Sequence, residues 1–296
     1  MTRTNNASSY VGRFAPSPTG PLHFGSLFAA IASFLDARAN EGLWLLRMED
    51  LDPPREPEGA AEQILQQLQD FHLLWDADVL YQSTRIPAYD EVLTSLETKE
   101  LCFNCSCTRP QVREMGSVYD GHCRDLEIKE SEQSAVRFLT EPVDVSFTDR
   151  VCGHYSQNIE QDVGDFVIKR KDGLYAYQLA VVVDDEYQQI THVVRGADLL
   201  DSTPRQIFLQ QQLGYRTPIY AHIPILLNDQ GQKLSKQHFA EAIDSNNAKE
   251  LVFRSLALLG QNPPKALLRE QVQHQLDWAI EHWDIQAVPK LANIPL

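Results

Sequence analysis

The sequence predicts an α/β fold. A discontinuous parallel sheet carries helices on its faces, a cysteine-rich α+β insertion interrupts it, and a helical region closes the chain. Three observations lead there. Strand-like and helix-like stretches alternate over residues 9–99, the pattern of parallel strands joined by packed helices. The alternation lapses over residues 101–170, where all five cysteines fall, and resumes from residue 175. Finally, a Pro/Gly-rich loop links the first strand to the first helix, which presents free N–H groups and the positive end of a helix dipole to an anion.

Taken in order, residues 9–14 read as a β-prone run and residues 27–39 as a long apolar-rich helix. Residues 42–48 form an apolar stretch of strand length, stopped by Pro53 and Pro54, and a helix follows over about 57–71. A short strand near 79–81 and a helix over 87–99 complete the first series. Residues 101–124 are cysteine-rich and loop-like, and residues 135–138 and 145–147 show short alternating runs. Helical and strand signals return at 175–184 and 190–195, with a helix at 203–213 and a strand near 219–222. Helices at about 248–259 and 265–282 finish the chain. The expected organisation is a first catalytic half (1–100), an inserted module (101–174), a second half (175–237) and a C-terminal helical region (238–296).

The chain has 296 residues, a length that suits about two domains, and its 43% hydrophobic and 23% charged composition is that of a globular protein with a core. It holds no apolar run long enough to span a membrane. Residues 1–9 are polar and lack the apolar segment of a secretory signal, so they read as a short arm. Five cysteines without a leader favour a metal site over a disulfide framework and point to a reducing cytoplasm. The net charge of −15 argues against a broad nucleic-acid surface. Net charge does not report local patches, however, and Lys169-Arg170-Lys171 is one basic cluster. A small RNA contact remains compatible with it.

Two motifs bear on an anionic ligand. Arg13-Phe14-Ala15-Pro16-Ser17-Pro18-Thr19-Gly20-Pro21-Leu22-His23-Phe24-Gly25-Ser26 places an imidazole at the mouth of the first helix, with Gly20 and Gly25 letting backbone approach a ligand. About 210 residues on comes Lys233-Leu234-Ser235-Lys236-Gln237. A third cluster gathers Cys102, Cys105, Cys107 and Cys123 within a short span, with Tyr119 and His122 beside the last. Four soft donors favour tetrahedral zinc in a closed, structural site. Spacing alone favours the four cysteines. Cys152 stands apart as a small buried residue.

The first two motifs, in that order, resemble the "HIGH" and "KMSKS" sites of class I aminoacyl-tRNA synthetases, in particular the glutamyl group with its R-F-A-P-S-P-T-G opening. The resemblance covers roughly residues 10–236. It implies a Rossmann-type nucleotide fold, ATP with Mg2+ as substrate, and activation of L-glutamate without tRNA. His23 and Lys236 would then steady the reacting phosphates, with Gly25, Lys233 and Ser235 completing the ATP site. The glutamate pocket would comprise Arg13, Phe14, Ala15, Pro16, Ser17, Glu49, Tyr177 and Arg195. Within it, Arg13, Tyr177 and Arg195 face the side-chain carboxylate, and Glu49 with Ser17 faces the α-amino group. Charge alone does not choose among Arg47, Arg55 and the others near Glu49; the family pattern R-x-E-D-x-D, matched by Arg47, Glu49, Asp50 and Asp52, does. The same resemblance replaces Cys102 by Tyr119 in the metal set, giving Cys105, Cys107, Tyr119 and Cys123.

Residues 238–296 are too few for the anticodon-reading modules of a full-length glutamyl enzyme. Such a body is similar to the branch of the family that esterifies glutamate onto queuosine in the anticodon stem-loop of tRNA(Asp). The expectation is a monomeric cytoplasmic ligase of that kind. Two alternatives stay open: a shortened synthetase charging the tRNA 3′ end, and an inactive paralogue that binds nucleotide or RNA.

Overall fold

The computed structural model describes residues 10–116, 118–128, 133–234 and 241–296. Three parallel strands, β1 (Val11–Phe14), β2 (Leu43–Met48) and β3 (Leu80–Tyr81), form one sheet in the order β1-β2-β3. Helix α1 (Phe24–Ala39) makes the first crossover and α2 (Ala60–Asp70) the second, with α3 (Ile86–Thr98) following β3. Nearly every side chain of α1 from Leu27 to Ala37 is buried, which makes it the central helix. It starts three residues earlier than the apolar pattern suggested, because His23 adopts extended backbone and caps it. Helix α2 likewise begins at Ala60 rather than 57, after Gly59 in the left-handed region (φ 78°).

The inserted part is more regular than its cysteines and turn residues suggested. Residues 102–105 form β4 (Cys102–Cys105), paired antiparallel with β5 (Ala135–Phe138), which pairs in turn with β8 (Phe166–Lys169). Partners distant in sequence, not local propensity, make β4 a strand. A short helix, α4 (Arg109–Glu114), carries a capping box of Thr108 and Gln111. The hairpin β6 (Asp144–Asp149) and β7 (Gly153–Asn158) reaches back to the parallel strands, where Arg150 N–H donates to the Tyr220 carbonyl at 2.9 Å.

Helix α5 (Tyr177–Tyr187), β9 (His192–Gly196), α6 (Thr203–Leu213) and β10 (Ile219–Ile223) resume the α/β alternation. Strands β9 and β10 pair in parallel, with Arg195 opposite His222. Thr191 N–H donates to the Val11 carbonyl at 2.9 Å and brings β9 beside β1. At the C-terminal end, α7 (Ala248–Leu258) and α8 (Val272–His282) pack against α1. The single helix expected over 265–282 is broken. Residues 265–269 form a tight 3-10 turn, Glu270 and Gln271 are extended, and the Gln275 side chain donates to the carbonyls of Leu267 and Glu270. The chain also ends in a strand rather than a helix: β12 (Asn293–Pro295) pairs in parallel with β11 (Ile225–Leu227). Asn-Ile-Pro is too short, and its proline too unusual for a sheet interior, to announce itself.

Candidate active site

Two cavities adjoin at the C-terminal ends of β1, β2 and β9, where ligands bind in open parallel sheets. The larger, about 540 Å³, lies against the β1–α1 loop and the start of α1. The smaller, about 360 Å³, sits between the ends of β1, β2 and β9 and the first residue of α5. Phe14, Ala15, Ser17 and Leu199 line both, so the two are continuous.

His23 and Gly25 open onto the larger cavity. His23 Nδ1 accepts from Ser26 N–H at 3.3 Å, and Nε2 lies 3.0 Å from Ser26 Oγ. The ring is thus held at the helix mouth by its own first turn. A Cβ on residue 25 would stand 3.1 Å from the His23 ring and 3.5 Å from Leu234 Cβ, so glycine lets the imidazole and the 233–234 segment close on one another. Gly20 meets the second requirement of this loop, a φ of 133°. Lys233 lines the same cavity and its Nζ sits 2.5 Å from Asp198 Oδ2, in the turn after β9. Ser235 and Lys236 lie outside the described residues.

The smaller cavity collects Arg13, Phe14, Ala15, Ser17, Glu49, Tyr177 and Arg195; Pro16 lines the larger one instead. Strand ends bring these residues together: Arg13 near the end of β1, Glu49 one residue past β2, and Arg195 near the end of β9. Tyr177 is the first residue of α5, and its Oη accepts from Arg195 Nη1 at 3.2 Å. Burial raises the Glu49 carboxyl above its ordinary value against the opposing pull of Arg47 and Arg13. Burial likewise raises the Tyr177 phenol, so it stays protonated and able to donate.

Arg47 and Arg55, which charge alone left level with the others, separate cleanly. Arg55 is exposed and pairs with Asp52. Arg47 is fully buried behind the cavity and donates to Asp185 at 2.8 Å, Gln188 at 2.9 Å and Glu49 at 3.3 Å. Asp185, which sequence reasoning passed over, also takes Arg13 at 3.2 Å. Burial alone would raise its carboxyl, but the guanidinium groups of Arg13 and Arg47 outweigh that and hold it below the usual range. The signal was present: two carboxylates, Asp184 and Asp185, end an otherwise apolar run beginning at Leu179. His222 and Asp149 had no comparable signal.

In the insertion, the Sγ atoms of Cys105, Cys107 and Cys123 lie within 4.8 Å of one another. Cys107 and Cys123 Sγ are 3.4 Å apart, and Tyr119 Oη is 3.5 Å from Cys105 Sγ and 3.8 Å from Cys107 Sγ. These separations suit donors around one ion with bonds near 2.3 Å, for which a tetrahedral edge is about 3.8 Å. Burial would raise the Cys123 thiol, but hydrogen bonds with Tyr119 and Cys107 hold it down at about 7. Cys102 is not in the cluster. It is three residues from Cys105 on β4 and therefore faces the other side of the sheet. Burial pushes its thiol up to about 12. His122 is exposed and also outside the cluster. Beside the thiols lies a cavity of about 780 Å³ lined by Arg109, Arg113, Arg137, Arg170 and Lys171, with Asp172 its one acid.

Residues 10–282 match the family model for the catalytic domain of class I tRNA synthetases (E and Q). A protein of Pseudomonas fluorescens named glutamyl-Q tRNA(Asp) synthetase is 48% identical over 98% of this chain and 97% of its own length. A protein of the same name from Neisseria meningitidis serogroup C is 50% identical, covering 97% of this chain and 99% of its own. Among solved structures, a glutamate tRNA ligase from Elizabethkingia meningosepticum superposes with a TM-score of 0.79 at 24% identity, over 97% of this chain and 66% of the ligase. At that identity the likeness speaks for the fold. Among the described residues, no helix is long and apolar enough to cross a membrane.

Proposed function

The chain belongs to the glutamyl and glutaminyl branch of the class I tRNA synthetases, and from that premise we propose that it activates L-glutamate with ATP and transfers it to queuosine in the anticodon of tRNA(Asp). The observation that carries the reading is the match between the smaller cavity and the amino acid. Arg13, Arg195 and the Tyr177 hydroxyl supply donors for the side-chain carboxylate. Glu49 supplies the anion for the ammonium group. The α-carboxylate is then directed into the adjoining cavity, where His23, Gly25 and Lys233 await the triphosphate.

In the first step an α-carboxylate oxygen attacks the α-phosphorus of ATP and pyrophosphate leaves, giving the glutamyl adenylate. Little covalent work falls to the protein, which holds the groups in line and stabilises charge on the equatorial oxygens. His23 at the helix mouth and Lys233, which both line the cavity, serve that end, together with Lys236 three positions further along the chain. In the second step a hydroxyl of the queuosine cyclopentenediol attacks the carbonyl carbon, loses its proton, and AMP departs.

Zinc suits the insertion. Cys105, Cys107, Cys123 and Tyr119 would hold it, and its contribution is structural, fixing the thiol-bearing segment of the module, whose own apolar cluster is small. The adjoining basic cavity is the proposed contact for the stem-loop backbone. It concentrates five cationic side chains in a chain whose net charge is −15.

The test is to incubate the protein with ATP, labelled glutamate and tRNA(Asp) with and without queuosine, then map the label by nuclease digestion. Label on the queuosine nucleoside, and none on tRNA lacking it, is the expected result. Label on the 3′-terminal adenosine would replace the reading with ordinary aminoacylation.

A further inference from the structure

Behind the amino-acid cavity lies a buried titratable pair for which the reaction above has no use. His222 on β10 and Asp149 at the end of β6 are both fully buried, with His222 Nδ1 2.6 Å from Asp149 Oδ2. On its other side, His222 Nε2 accepts from Arg195 Nε at 3.0 Å, as their opposed positions on adjacent parallel strands allow. A guanidinium has no acceptor. The bond therefore requires a lone pair on Nε2, so the neutral ring must carry its proton on Nδ1, where Asp149 receives it. Donor and acceptor chemistry alone fixes the tautomer.

The remaining contacts are compatible with that form: Thr203 Oγ1 lies 3.1 Å from His222 Nε2, where its hydroxyl can donate to the same lone pair. Asp149 Oδ1 is occupied by the backbone N–H groups of Val151 at 2.9 Å, Cys152 at 2.9 Å and His222 at 3.0 Å, which leaves only Oδ2 for the imidazole. Thr203 Oγ1 accepts from Arg195 Nη2 at 2.8 Å. The Nε and Nη2 edge of Arg195 is thus gripped by the protein, and Nη1 sits with Tyr177 Oη, the two residues lining the cavity. The charged and titratable groups facing His222 are Asp149 from β6, Arg195 from β9, Arg13 from β1 and Tyr220 from β10 itself, with the Cys152 thiol against its carbonyl. Burial, together with Arg195, holds the imidazole below its ordinary value, against the pull of Asp149.

We propose that His222, locked as its Nδ1–H form by Asp149, is a positioning residue for Arg195, so that the inserted hairpin sets the affinity of the parallel-sheet cleft for its amino acid. The proposal rests on reading Arg195 as the partner of the glutamate carboxylate.

Asp149→Asn is the sharpest test. The three backbone N–H groups keep the amide oxygen at the Oδ1 position and place the NH2 opposite Nδ1. The ring proton must then move to Nε2, where it can turn to Thr203 Oγ1 but meets Arg195 Nε–H donor against donor, so Arg195 loses its acceptor. Glutamate-dependent ATP–pyrophosphate exchange should show the KM for glutamate raised about 10- to 100-fold, the worth of one charge-assisted hydrogen bond. The KM for ATP should stay within about 2-fold of wild type, a split that a general loss of folding would not give. His222→Gln, whose amide oxygen can accept from Arg195, should keep the glutamate KM close to wild type. His222→Leu should raise it as Asp149→Asn does, and this pair of variants decides the matter if Asp149→Asn is insoluble. Independently, the imidazole 15N spectrum, with His222 assigned by its absence in His222→Gln, should show Nδ1 protonated in wild type and Nε2 protonated in Asp149→Asn. A wild-type ring protonated on Nε2, or equal glutamate KM values in His222→Gln and His222→Leu, would overturn the proposal. Loss of all glutamate-dependent exchange in wild type would strike at the proposed function instead, while the 15N spectrum still judges the tautomer.

Discussion

At the scale of single residues, His23 serves two ends that can be separated. It caps α1 through Ser26 N–H, and it faces the cavity assigned to ATP. Asparagine is a strong helix cap, so His23→Asn should leave the thermal midpoint nearly unchanged while pyrophosphate exchange falls roughly 10²- to 10³-fold; exchange at the wild-type rate would remove His23 from the reaction. Asp185 makes a different prediction. Its carboxyl is held below the usual range by Arg13 and Arg47, so its stabilising effect is complete above about pH 3.9 and is lost as the pH falls through the lower folded value. Asp185→Asn, which leaves two buried guanidinium groups short of a counter-charge, should cost about 3–5 kcal/mol at neutral pH. Urea midpoints followed into acid should show wild type losing its advantage over the variant; a gap that does not narrow would refute the assignment. Arg13, Glu49, Tyr177 and Arg195 were legible because a family motif names them. Asp149 and His222 were not, since each makes its contacts through folding and neither lies in a motif.

At the scale of elements, the insertion depends on its thiols. The small cluster of Cys105, Tyr119 and Cys123 buries too little apolar surface to hold the segment around the thiols without further bonds, whereas Val136, Phe138, Phe166 and Ile168 of the same insertion join a large core. The protein should bind one equivalent of zinc, and Cys123→Ser should abolish that binding. Glutamate transfer to tRNA should then be lost, whereas ATP–pyrophosphate exchange, which uses the parallel-sheet cleft, should largely persist. Metal analysis beside the two assays checks all three. Elements with strong periodicity or capping punctuation were readable in advance, with α6 (Thr203–Leu213) matching the expected span end to end. Those that owe their conformation to remote partners were not: β4 exists because β5 lies beside it, and β12 because β11 does. The break between the 3-10 turn at 265–269 and α8 was equally hidden, as it turns on the side chain of Gln275.

At the scale of the whole molecule, a chain of net charge −15 gathers five cationic side chains in the recess beside its thiols. Arg109→Glu or Lys171→Glu should weaken tRNA binding uniformly and reduce the salt slope of the binding constant by about one each, with exchange unaffected. Unchanged slopes would put the RNA elsewhere. A second global feature is a single carboxylate. Asp36, fully buried on α1, accepts from Tyr10, from Arg150 Nη2 at 3.1 Å and from Trp283 Nε1 at 2.9 Å. The last of these partners stands 247 positions further along the chain. At ribosomal speeds of about 5–20 residues per second, roughly 12–50 s pass between the emergence of Asp36 and that of Trp283. Until then the carboxylate has at most its two earlier partners, Tyr10 and Arg150, and the bond that ties the C-terminal helices to this centre must wait for the indole to arrive.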